Sequence, residues 1–173
     1  TQEFEQDLDD MLKDFNFVDW DFFKNNYTKK HKKPIALLTF DDGLIEFKDV
    51  VLPILERKGI YAMNFINPKF VDNSEMMFRF KASLILDKFK NNNYKVSTTI
   101  QKFLNLTKNT SEEITRKILS ISYLEREKLD ILSVYAEINF KKYQAKNKIY
   151  MNQEDLLFMK DQGFGISAHS YDH

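Results

Sequence analysis

The fold turns on Pro34-Ile35-Ala36-Leu37-Leu38-Thr39-Phe40-Asp41-Asp42-Gly43. Ile35 to Phe40 run on without the polar alternation of a half-solvated strand, so they read as a strand buried on both faces, as in a parallel sheet. The polar cluster Asp41-Asp42-Gly43 closes that strand at its carboxyl end. A helix over Val50–Lys58 follows, with Pro53 in its first turn and Gly59 ending it. Ile60-Tyr61-Ala62-Met63-Asn64-Phe65-Ile66 then reads as a second buried strand. Strand, helix and strand within about 30 residues make a βαβ unit.

Upstream, Phe4, Leu8, Met11 and Leu12 recur at helical spacing and predict a short amphipathic helix. Downstream, residues 73–150 break the βαβ rhythm. Met76 to Phe89 reads as an apolar helix, and Asn91-Asn92-Asn93 as a turn between helices. Thr110-Ser111-Glu112-Glu113 and Ser122-Tyr123-Leu124-Glu125 are two capping-box patterns, each introducing a further helix. The block is read as an all-helical insertion. The rhythm resumes where Asn152 caps a helix through Asp161, Gly163 ends it, and Phe164 to Ala168 forms a third strand. The domain reading is therefore 1–72, 73–150 and 151–173.

Composition narrows the function. The chain has 173 residues, 43% of them hydrophobic, with 16 Phe, which excludes a disordered polypeptide. No run approaches the ~18 apolar residues of a membrane span. Lys and Arg total 26 and so do Asp and Glu, so no net field draws the chain to nucleic acid. The absence of Cys removes disulfide scaffolds, Cys-ligated zinc and thiol nucleophiles. The excess of Lys over Arg and the many Asn point to an AT-rich bacterial genome, and leave the compartment open between cytoplasm and cell envelope. The basic run Lys29-Lys30-His31-Lys32-Lys33 is either a polyanion contact or a solvated loop; being short and without an aromatic partner, it reads better as the loop. The chain begins at Thr1 rather than Met and carries no leader pattern, which leaves room for a trimmed signal peptide.

The unusual polar residues sit at the carboxyl ends of predicted strands, where loops of parallel α/β folds converge on one mouth. The first strand ends in Asp41-Asp42-Gly43 and the third in His169-Ser170-Tyr171-Asp172-His173. Adjacent acids on a strand point to opposite faces, so the pair serves one ion only if the chain bends there, and Gly43 supplies the freedom to bend. His169 and His173 at i,i+4 share a face if they lie on one helical turn. One carboxylate with two imidazoles leaves open coordination positions, a catalytic rather than a closed metal site. Zn²⁺ is the first choice, with Co²⁺, Mn²⁺, Fe²⁺ or Ni²⁺ as alternatives. The second carboxylate would then stand beside the metal as a proton acceptor.

Thr39-Phe40-Asp41-Asp42-Gly43 and His169-Ser170-Tyr171-Asp172-His173 resemble the first two motifs of the polysaccharide deacetylases, the NodB homology or carbohydrate esterase family 4 group, whose patterns are TFDDG and H[ST]xxH. The helix, Gly163 and strand before His169, the Ile60–Ile66 strand and the lead-in over Phe4–Trp20 resemble the family as well. The resemblance implies an α/β fold: part of a distorted (β/α) barrel of NodB type, carrying the helical insertion. It implies Asp41 as general base and Asp42, His169 and His173 as metal ligands. It implies hydrolysis of N-acetyl or O-acetyl groups from a polysaccharide or amino sugar.

Two features depart from the family pattern. Between Gly43 and His169 stand 125 residues, more than members usually have, and the block 73–150 accounts for the excess. That block would shape a substrate groove, cap the barrel or form an oligomer contact, or else be a plain packed decoration. The later family motifs, including the one that supplies the general acid, are not found, and a closed barrel takes about 250 residues. The expectation is an N-terminal part of the barrel with little deacetylase activity by itself. The alternative is an inactive metal- or carbohydrate-binding relative whose helical insertion contacts a partner. A two-His-one-carboxylate iron oxygenase fits poorly, because its acid comes far upstream on another strand.

Overall fold

The structure is a computed structural model that describes residues 1–91 and 96–172. The turn expected at Asn91-Asn92-Asn93 falls on the boundary and beyond it, so it lies outside the described residues. The chain divides into two compact units, residues 1–75 with 148–173, and residues 76–147.

The first unit opens with α1 (Gln2–Asp14), a helix with acids Glu3 and Glu5 in its first turn, where the helix dipole favours them. Leu8 on its inner face is 1% exposed, and Phe4 and Leu12, four residues to either side, pack on the same core. Met11 lies off that face and is exposed. A two-residue strand, β1 (Asn16–Phe17), precedes α2 (Trp20–Asn26), which Asp19 caps by accepting a bond from the Phe22 N–H at 2.7 Å. The basic run beyond it forms turns and bends that are mostly exposed, and His31 Nε2 lies 2.9 Å from the Asn26 carbonyl. That is the environment of a solvated loop.

The run Ile35–Phe40 is not one strand. It breaks at Leu37 into β2 (Ile35–Ala36), paired parallel with β1, and β3 (Leu38–Asp41), paired parallel with β4 (Ala62–Ile66). Nor is it buried on both faces. Leu38 and Phe40 face the core while Thr39 and Asp41 are exposed. Double-sided burial belongs to β4, which is flanked by β3 on one edge and β5 (Gly165–Ala168) on the other, both parallel. A central strand loses solvent on its faces and both edges, whereas an edge strand keeps water on one side.

The crossover from β3 to β4 begins earlier than the spacing suggests. Phe47–Val51 form a π-helical turn in which the Leu52 N–H bonds the Phe47 carbonyl, and α3 (Leu52–Lys58) continues from it. Pro53, lacking an N–H, cannot supply the next α-helical bond back to residue 49, and the wider turn sits just before it. Gly59 ends α3 at φ 62°, the left-handed conformation that glycine adopts without strain. Leu52, Ile54 and Leu55 from α3 meet Leu8, Phe47, Ile60, Ala62, Ile66, Met151, Met159 and Phe164 in one core. After residue 148 the chain continues through Ile149-Tyr150-Met151, and α9 (Gln153–Asp161) leads into β5.

The second unit is built from helices. Its elements are α4 (Phe78–Asn91), α5 (Thr98–Phe103), α6 (Ser111–Leu119), α7 (Glu127–Tyr135) and α8 (Phe140–Lys146). α4 packs on α6 and α7, burying Ala82, Ile85, Ile114, Ile118, Leu129 and Leu132. Of the two capping patterns, Thr110 caps α6 by accepting from the Glu113 N–H at 3.2 Å. Glu113 does not reach back to residue 110. Its carboxylate accepts the N–H groups of Thr107, Lys108 and Asn109 and the Thr107 hydroxyl. These bonds hold the Glu113 carboxyl down to about 2. Ser122 precedes only a 3₁₀ turn, Tyr123–Glu125, and makes no cap bond to it; its Oγ donates to Glu125 at 3.2 Å instead. Among the described residues no helix is long and apolar enough to cross a membrane.

Candidate functional site

The site lies where β3 and β5 end on either side of β4. The Asp42 N–H donates to the Phe65 carbonyl and the His169 N–H to the Ile66 carbonyl, each at 2.9 Å. Two neighbouring carbonyls of the central strand thus anchor the two motifs. In the sheet register Asp41 stands opposite Phe65, and Ser167 stands opposite Phe65 from the other edge. Side chains alternate along a strand, so Asp41, Ser167 and the next residue but one, His169, fall on the same face. His169 Nε2 lies 3.9 Å from Asp41 Oδ2. Both groups reach solvent, with side-chain exposures of 33% and 57%.

The bend expected from Gly43 begins one residue sooner. Asp42 itself takes φ 73° and Gly43 follows at 67°. A left-handed non-glycine residue is strained, and aspartate is among the residues that tolerate it. The consequence is that Asp42 leaves the alternation of β3, and its Oδ1 is shielded from solvent while Asp41 stays open to it. The two acids, identical in sequence, therefore occupy different environments.

The loop behind them is tied down on two sides. Leu44 bridges antiparallel to Tyr150, the Ile45 N–H donates to the Ile149 carbonyl, and the Met151 N–H donates to the Gly43 carbonyl. From the other side the Ile149 N–H donates to Asn73 Oδ1 at 3.1 Å, and the Asp72 N–H to the Met151 carbonyl at 3.2 Å. Tyr150, 1% exposed, stacks on Phe70 with ring centres 5.2 Å apart. This strap continues into α9 (Gln153–Asp161), which Asn152 and Asp155 close with a reciprocal capping box. Asp155 also pairs with Lys48 at 3.2 Å and Lys148 at 2.6 Å. Burial alone would push the Asp155 carboxyl up, but Lys148, the Asn152 amide and Lys48 together outweigh it and hold it below its ordinary value.

Residues 169–172 are not a helical turn, so the i,i+4 argument for His169 and His173 does not describe this segment. His169 ends the strand and the chain then bends; His173 lies outside the described residues. What holds the segment is the end of β4. Asn67, fully buried, donates from Nδ2 to the Ser170 carbonyl at 3.0 Å and to its hydroxyl at 3.1 Å, and lies 3.5 Å from His169 Nδ1. The Lys69 N–H donates to the Tyr171 carbonyl at 3.2 Å, and Lys69 Nζ lies 3.4 Å from Asp172 and from Glu75. Burial would lower the Lys69 ammonium, but Asp172 and Glu75 raise it overall. Asn67 and Lys69 were not anticipated from the motifs. The signal was available: they follow the carboxyl end of the second predicted strand, Ile60–Ile66, at the same mouth.

Among the described residues no group of three or more His, Asp and Glu is gathered closely enough to hold a metal ion. Asp42 and His169 nevertheless suit a divalent cation in chemistry: a carboxylate with one oxygen shielded from water, and an imidazole whose Nδ1 edge is engaged while Nε2 faces the mouth.

A family profile described as polysaccharide deacetylase matches residues 28–173. No curated protein and no solved structure matches the chain. The profile runs through both motifs and takes in the helical unit between them, and the α/β arrangement of small parallel sheets is compatible with it. The chain belongs to the polysaccharide deacetylase family.

Proposed function

We propose that the chain forms the metal-binding and base-bearing part of a hydrolase that removes acetyl groups from an acetylated polysaccharide or amino sugar. The observation that carries the reading is the anchoring of Asp42 and His169 on adjacent carbonyls of β4, with Asp41 and His169 converging on one face. Asp42 and His169 would hold a divalent ion, Zn²⁺ by preference, and His173 is proposed as the third ligand. Such an ion, when bound, supplies Lewis acidity toward the acetyl carbonyl and toward a water.

The remaining chemistry belongs to side chains. Asp41 is solvent-open and 3.9 Å from His169 Nε2, so its carboxylate is placed to take the proton of a water attacking there. Attack on the acetyl carbon gives a tetrahedral centre; as it collapses, Asp41 would return that proton to the leaving nitrogen or oxygen, so that acetate and the free amine or alcohol are released. Asp42, held in a left-handed bend, keeps one carboxylate oxygen shielded from solvent. In this reading the bend divides the labour: one acid would bind the ion, the other would accept the proton.

Metal content of the purified chain after Zn²⁺ reconstitution tests the reading. About one equivalent is expected, lost in Asp42→Ala and in His169→Ala. Retention in both variants would overturn it. In the longest native polypeptide containing the chain, acetate release from N-acetylated oligosaccharides should depend on that metal; metal binding without any acetate release would instead favour a binding relative.

A further inference from the structure

We infer that Asn67 is a positioning residue, fixing His169 and the 169–172 segment from the end of the central strand; what this does for function rests on reading His169 as a metal ligand. The segment 169–172 is neither helix nor strand. His169 makes the last sheet bond, to Ile66. Beyond that point Asn67 Nδ2 is bonded to the Ser170 carbonyl and hydroxyl and sits beside His169 Nδ1. Among the described residues, the side-chain hydrogen bonds of Asn67 go to this segment, while its Oδ1 is buried without a hydrogen-bond partner. A buried orphan acceptor is a standing penalty that an apolar residue of similar size would avoid. The amide is therefore explained by what its other end holds.

The ring orientation gives the arrangement its use. With Asn67 Nδ2 and Ser170 Oγ on the Nδ1 edge, at 3.5 and 3.4 Å, Nε2 is the nitrogen turned toward Asp41. Ligating imidazoles are held by donating their second N–H to an acceptor, and on this edge the acceptor is Ser170 Oγ, itself fixed by the bond from Asn67 Nδ2. Lys69, two residues on, extends the same cradle to Tyr171 and Asp172.

The test compares Asn67→Ala with Asn64→Ala, an equal truncation at a residue 1% exposed within β4, just before Asn67. Two readouts are taken. In the metal-free chain, exchange of the Lys69 amide, which bonds Tyr171, should rise roughly tenfold in Asn67→Ala beyond any change in Asn64→Ala. Co²⁺ affinity, by competition with a chromophoric chelator, should fall about 10–100-fold in Asn67→Ala with an altered visible spectrum, and stay near wild type in Asn64→Ala. A wild-type chain that binds no Co²⁺ overturns the metal reading, and amide exchange then decides the positioning claim alone. Unchanged exchange and affinity in Asn67→Ala, or equal changes in both variants, overturn the positioning claim itself. Should Asn67→Ala fail to fold, Ser170→Ala removes only the hydroxyl partner; a smaller change in the same direction is expected, and no change would refute the claim.

Discussion

His169 Nε2 stands 3.9 Å from Oδ2 of Asp41, too far for a hydrogen bond and near enough for both to address one small group between them. Asp41→Asn would remove the proposed proton acceptor and leave the proposed metal ligands in place. Acetate release should then fall about 10²–10⁴-fold with metal content unchanged. Asp42→Ala should lose the metal instead. Elemental analysis alongside an acetate assay separates the two, and equal metal loss in both variants would reverse the assignment.

Two glycines with the same backbone requirement should respond differently to a methyl group. At Gly59, φ 62°, an added Cβ meets nothing within 4 Å, so Gly59→Ala costs only the left-handed strain, about 1–2 kcal/mol. At Gly43, φ 67°, the Cβ would lie 3.1 Å from Ile66 Cδ1 and 3.3 Å from its Cγ2. Gly43→Ala should lower the urea midpoint further and also weaken metal binding, because Ile66 carries the carbonyl that anchors His169.

Acid should act on the helical unit through Glu113. Its carboxyl is held to about 2, below the ordinary value near 4.5, chiefly by the N–H groups of Thr107 and Lys108. A lowered folded-state value means the unfolded chain takes up the proton first, so the stabilisation is complete above about 4.5 and lost as pH falls toward about 2. Thermal melts should find Glu113→Gln less stable than wild type at neutral pH, with the gap closing by pH about 2. A gap independent of pH would contradict this.

The strap behind the acidic loop hangs on Asp155. Asp155→Ala removes one half of the α9 capping box and strands Lys48 and Lys148 without their shared carboxylate. The cap alone is worth about 1 kcal/mol, and loosening the strap should expose the peptide bond after Lys148 to trypsin. Stability and digestion pattern matching wild type would count against a joint role.

Part of this arrangement was readable from short spacings. Phe4, Leu8 and Leu12 marked the buried face of α1, Gly59 the end of α3, and Asn152 the start of α9. The motif residues Asp41, Asp42 and His169 were named in advance and do come to one sheet end. The break at Leu37 was not visible, because Ile35 and Leu38 differ in their strand partners rather than in side-chain character. Nor was the non-helical course of 169–172, since the spacing of His169 and His173 fits a helix as well as a bend.

The sequence by itself determined what depends on neighbours within a few residues: caps, a left-handed stop, an amphipathic face and the paired acids at a strand end. Tertiary structure decided which strand became central, which acid left the alternation, and which residue steadies His169. The reason is range. A capping oxygen finds its N–H three residues away, as in Asn152 and Asp155. Asn67 finds Ser170 across 103 residues, and that bond exists only because β4 lies between β3 and β5.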